Sequence, residues 1–129
     1  MNYYFHKTVH LPFAEAEEKI RESLASRNFG ILTEIDMQAT FKKKLDKDIR
    51  PHKILGACNP NYAYQATQAE EKMSTLLPCN VTVSENEDGT VDITMMDPVA
   101  AFSLIENPEV EPIAKEVKGI LLEALNKVA

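Results

Sequence analysis

From its second residue the chain alternates: NYYFHKTVH sets aromatic and β-branched residues against polar ones. A period of two with that composition predicts a first strand over residues 2–10. The period then lengthens. In LPFAEAEEKIRESLASRNFG, Phe13, Ala16, Ile20 and Leu24 recur every three or four residues, with acids between them. This is the pattern of a helix with one face on a core. Asn28 to Gly30 supply the residue types that end helices.

GILTEID returns to strand character, with Glu34 as the one charge inside the run before Asp36. Asp36 is placed to cap a helix over MQATFKKKLDK, with Met37, Phe41 and Leu45 on one side. DIRPH is a loop, because Pro51 pushes Arg50 out of helical backbone. KILGA is short and apolar, which predicts a buried third strand. NPNYAYQATQAEEKM reads as a helix that Asn59 can cap and Pro60 can open, since the first helical position needs no amide hydrogen. The same pairing precedes VAAFSLIE at Asp97-Pro98 and EVEPIAKEVKGILLEALNKV at Asn107-Pro108. Between them CNVTVSENEDGTVDITMM is a hairpin: Val81 and Val83, then Val91 and Ile93, alternate about Asp88-Gly89. The last helix carries a broad stripe of Val110, Ile113, Ala114, Val117, Ile120, Leu121 and Ala124. The order strand, helix, strand, helix, strand, helix, hairpin, helix, helix predicts an α+β fold. Its sheet is mainly antiparallel and its helices pack on one face.

At 129 residues the expectation is a single domain spanning 1–129, with 44% hydrophobic and 26% charged residues. The net charge of −6 argues against nucleic acid as partner, because phosphates attract clustered Lys and Arg. The basic run FKKKLDK includes an acid and reads as a solvated helix face. MNYYFHKTVH lacks the apolar region an export signal requires, and no run approaches the ~20 apolar residues that span a bilayer. A cytoplasmic location without membrane attachment is therefore expected, with Cys58 and Cys79 reduced. The histidines (His6, His10, His52) lack zinc-site spacing, so neither a structural metal nor a cofactor is expected.

Candidate chemistry centres on KILGACNP. Cys58 falls just ahead of a helix N-terminus, where unsatisfied amides favour a thiolate and can hold an anion. The bland alternative is a small buried filler, since free cysteine is among the most buried residue types. Cys79 can become its neighbour if the strands holding the two pair. Glu34 is a candidate general base if buried, and His52 titrates near neutrality. Lys53, Asn59 and Asn80 are candidate ligand contacts beside the thiols. Capping and turn formation account equally for both asparagines.

The blocks GILTEIDMQATFKKKL, RPHKILGACNPNYAYQA, LLPCNVTV and MDPVAAF, spanning about residues 29–105, resemble the hallmark segments of the bacterial and archaeal family known as domain of unknown function 302. The resemblance implies a helix-on-sheet architecture related to the TATA-binding-protein fold, and a homodimer. It implies no activity. Three readings follow, and whether the protein is an enzyme stays open. The first is a small-ligand or thiol-dependent site around Cys58. The second is a homodimeric assembly module, joined through the first strand and the last helix, with the cysteines as packing. The third is a transition-metal site of Cys58, Cys79 and His52.

Overall fold

The computed structural model describes residues 2–128. Five strands, β1 (Tyr4–Val9), β2 (Gly30–Asp36), β3 (His52–Cys58), β4 (Cys79–Glu85) and β5 (Val91–Met96), form one sheet in the order β1-β5-β4-β3-β2. Every pairing is antiparallel. The helices are α1 (Phe13–Ala25), α2 (Met37–Leu45), α3 (Pro60–Ala69), α4 (Pro98–Phe102) and α5 (Val110–Asn126), with a 3₁₀ turn at Met73–Leu76. The α+β class and the antiparallel sheet expected from the sequence are what the chain forms.

Alternation along the strands sends Leu55, Ala57, Val81, Val83, Val91, Ile93 and Met95 to one face. There they are buried against Ala16, Ile20 and Leu24 of α1 and Val117, Leu121 and Ala124 of α5. Fully burying one such aliphatic side chain is worth about 1.5–3 kcal/mol, so the two amphipathic stripes anchor both helices. A second buried cluster, Ala66, Met73, Phe102, Val110 and Ala114, joins α3, the 3₁₀ turn, α4 and the start of α5. The hairpin turns where expected, with Gly89 at φ +87°, a value side-chain-bearing residues avoid.

The opposite face of the sheet holds no buried helix stripe. Its outward positions include Tyr4, His6 and Thr8 on β1, Asp92, Thr94 and Met96 on β5, Asn80, Thr82 and Ser84 on β4, His52, Ile54 and Gly56 on β3, and Thr33 and Ile35 on β2. The chain has 14 Lys and Arg and 20 Asp and Glu. Among the described residues this face presents one carboxylate, Asp92, which accepts a hydrogen bond from Thr8, and no lysine or arginine.

Several boundaries differ from the sequence reading. The third strand starts at His52, expected in a loop, and runs through Cys58. Helix α2 buries none of its residues, and Leu45 is 62% exposed. Its spacing of Met37, Phe41 and Leu45 therefore marks no core face. Helix α4 stops at Phe102. Helix α5 starts at Val110 because Asn107 closes a local turn, its Oδ1 accepting from the Glu109 amide.

Candidate functional site

The junction of β3 and α3 positions Cys58. Asn59 is 7% exposed, and its side-chain oxygen accepts from the amides of Asn61 (3.1 Å) and Tyr62 (3.4 Å). Its carbonyl accepts from Ala63, and Pro60 has no amide hydrogen. The donors at this helix start are thus satisfied by Asn59 itself. The expectation that they favour a Cys58 thiolate or hold an anionic ligand meets a closed cap. Burial instead pushes the Cys58 thiol above its ordinary value.

Because β3 pairs with β4 and Ala57 stands opposite Cys79, the two free thiols are neighbours. Burial, followed by the adjacent Cys58, pushes the Cys79 thiol up to about 12. Cys58, Asn59 and Cys79 line one cavity with Phe29, Tyr62 and Phe102. It measures about 20 Å³, roughly the room one water needs.

The remaining candidates lie elsewhere. His52 begins β3 and Cys58 ends it, a separation of about 20 Å at ~3.3 Å per residue. The metal set of the third reading, Cys58, Cys79 and His52, fails on that distance, and no three described His, Cys, Asp or Glu side chains group to hold an ion. Glu34 and Lys53 join an ion network that ties α1 to the sheet. Lys53 reaches Glu17 at 3.0 Å and Glu34 at 3.9 Å, while Arg21 bonds both Glu17 and Glu34. Asn80 is exposed, between the inward Cys79 and Val81.

A second hollow, about 520 Å³, opens where the end of α1, the start of α3 and the middle of α5 meet. Arg27, Asn28, Asn59, Asn61, Gln65 and Glu116 are among its lining residues, with Tyr62 and Tyr64. The Glu116 carboxylate beside Tyr62 pushes that phenol above its ordinary value. Arg27, Asn28, Asn61, Gln65 and Glu116 carry no sequence signal that marks them as contacts, although Asn61, Tyr64 and Gln65 follow the i, i+3, i+4 spacing of one helix face. Among the described residues no helix is long and apolar enough to cross a membrane.

The family model described as Domain of unknown function DUF302 matches residues 5–128. A solved structure, that of an uncharacterized conserved protein DUF302 from Bacillus stearothermophilus, is similar with a TM-score of 0.94 and 24% identity. The likeness covers 100% of both chains and speaks for the fold. No curated protein matches the chain. With its fold and nearly its whole length accounted for, the chain belongs to the family Domain of unknown function DUF302.

Proposed function

We propose that the protein acts as a homodimeric assembly module, with a second copy docked on the open face of the sheet. The observation that carries this reading is the one-sided packing: α1 and α5 cover one face, and the other carries mostly threonine, isoleucine, histidine and tyrosine side chains with Asp92 as its one carboxylate. Five strands of about six residues, spaced ~4.8 Å apart with ~3.3 Å per residue, present about 500 Å² of projected area per copy. Side-chain relief brings that toward the roughly 600–1,000 Å² per partner of stable interfaces. Two copies of a chain with net charge −6 repel over most of their surface. A face with one carboxylate is where that repulsion is weakest, and two such sheets can stack about 10 Å apart. The sequence reading had placed the contact on the first strand and the last helix. The apolar stripe of α5 is consumed by its own core, which removes that half of the surface.

Thr82 sits on the central strand β4, opposite Ile54 on one side and Thr94 on the other. In a dimer joined through this face, Thr82→Glu adds a carboxylate from each copy to the contact. Sedimentation equilibrium should show association weakened at least about tenfold, or about 1.4 kcal/mol. Association equal to that of the unaltered protein removes the proposal.

One observation favours a second reading, a thiol- or small-ligand-dependent site: Cys58 and Cys79 share a cavity, and Cys58 is only half-buried. Titration of the native protein with an aromatic disulfide reagent tests it. One rapidly reacting thiol, lost in Cys58→Ser, supports the reading; two thiols that react only after unfolding end it.

A further inference from the structure

We infer that the groove between α1, α3 and α5 is a binding site for a neutral polyhydroxylated ligand, a sugar. The first observation is the side chain of Asn59. Its oxygen is committed to the α3 cap, and its amide nitrogen has no acceptor within hydrogen-bond distance among the described residues. The residue is 7% exposed, yet among the described residues no buried side-chain nitrogen or oxygen is left unsatisfied. The nitrogen therefore keeps an opening to solvent. Of the two hollows Asn59 lines, one is apolar and about the size of a water, and the other is this groove.

The second observation is the chemistry of the walls. Four carboxamides, Asn28, Asn59, Asn61 and Gln65, line the space. A carboxamide pairs donors with an acceptor, as a hydroxyl does, so a carboxamide-rich wall matches a ligand made of hydroxyls. Tyr64 is 66% exposed and lies in the same lining, offering the flat apolar face on which the C–H side of a pyranose rests. The groove contains one cation, Arg27, and one anion, Glu116, and so carries no net charge. Arg27 already donates to Ser23 and Ser26 and pairs with Glu123. A ligand carboxylate would have to compete for it, which favours a neutral ligand over an amino acid. The site lies in the helical layer, away from the open sheet face, and does not depend on the dimer.

The test is protein NMR on the full chain, titrated separately with D-glucose, N-acetyl-D-glucosamine, maltose and glycine. The side-chain NH₂ signals of Asn59 and Gln65 should move with at least one sugar, saturating with a Kd of about 1–10 mM. Tyr64→Ala and Gln65→Ala replace exposed helix residues and keep the fold; each should weaken binding about fivefold. Asn59→Ala is unsuited as the sole variant, because it removes the cap. The inference is overturned if no sugar moves these signals up to about 50 mM. It is equally overturned if glycine alone moves them, or if both exposed variants bind as the unaltered protein does.

Discussion

Of the chain's four glycines, Gly56 alone has no room for a side chain. A Cβ at this position would lie 2.2 Å from Thr33 Oγ1 and 2.6 Å from Pro78 Cγ. Carbon atoms pack at about 3.5–4.0 Å, so the proline ring is about 1 Å too close. Thr33 can turn its hydroxyl aside; the ring of Pro78 cannot bend away without moving the chain that leads into Cys79 and β4. Overpacking of this kind costs about 1–3 kcal/mol, and relief of glycine's backbone entropy returns at most about 1 kcal/mol. Gly56→Ala should thus lose about 1–2 kcal/mol, lowering the urea midpoint by about 0.5–1 M at a slope near 2 kcal/mol/M. Gly119 is the control of opposite sign: nothing lies within 4 Å of its Cβ position, in the middle of α5. Gly119→Ala should gain about 0.5–1 kcal/mol. A Gly56→Ala midpoint equal to or above that of the unaltered protein refutes the close approach of Pro78 to β3.

Three further outcomes follow from the same coordinates. Asp97 caps α4 through Oδ1 and accepts from Lys118 at 2.8 Å through Oδ2. Asp97→Ala should cost about 2–3 kcal/mol in a urea melt and Asp97→Asn, which keeps the capping oxygen, about 1 kcal/mol. Burial raises the Glu17 carboxyl, but hydrogen bonds from Lys53 and Arg21 outweigh it and hold the group below its ordinary 4.5. A depressed folded-state value gives stability that is present above the unfolded value and lost as pH falls through the folded one. Glu17→Gln should cost about 1 kcal/mol at pH 7, and its stability curve should converge on that of the unaltered protein as pH falls through the depressed folded-state value. Cys79 has the opposite sign: a thiol raised from 9.0 to about 12 contributes fully below pH 9 and loses that contribution between pH 9 and 12. Over that interval the unaltered protein should lose stability more steeply than Cys79→Ala, read by denaturant melts at stepped pH.

The elements were legible because their signals are local. Alternation about Gly89, the stripes of α1 and α5, and the Asx-Pro caps of α3 and α4 each reside in a few consecutive residues. The site was less legible because it depends on register. His52 and Cys58 are close in the chain yet sit at opposite ends of one strand, while Cys58 and Cys79, far apart in sequence, are brought together by the β3–β4 ladder. Glu34 invited a reading as a catalytic base. Only the fold reveals that Arg21 and Lys53 converge on it. The cap at Asn59 was visible in the sequence, but its consequence was not: the side chain that starts the helix also closes the amides that might have served Cys58. The open sheet face was hidden for a simpler reason. Threonine alternation marks an outward surface, and only the buried cluster shows that α1 and α5 both pack on the other side.

Intermolecular NOEs in a mixture of isotope-labelled and unlabelled protein address the proposed dimer most directly. Docking through the sheet predicts cross-peaks between copies among the methyl groups of Ile54, Thr82 and Thr94, in a particle of twice the 14.5 kDa chain mass. A monomer at millimolar concentration, or a dimer whose contacts arise from α1 and α5 instead, contradicts it.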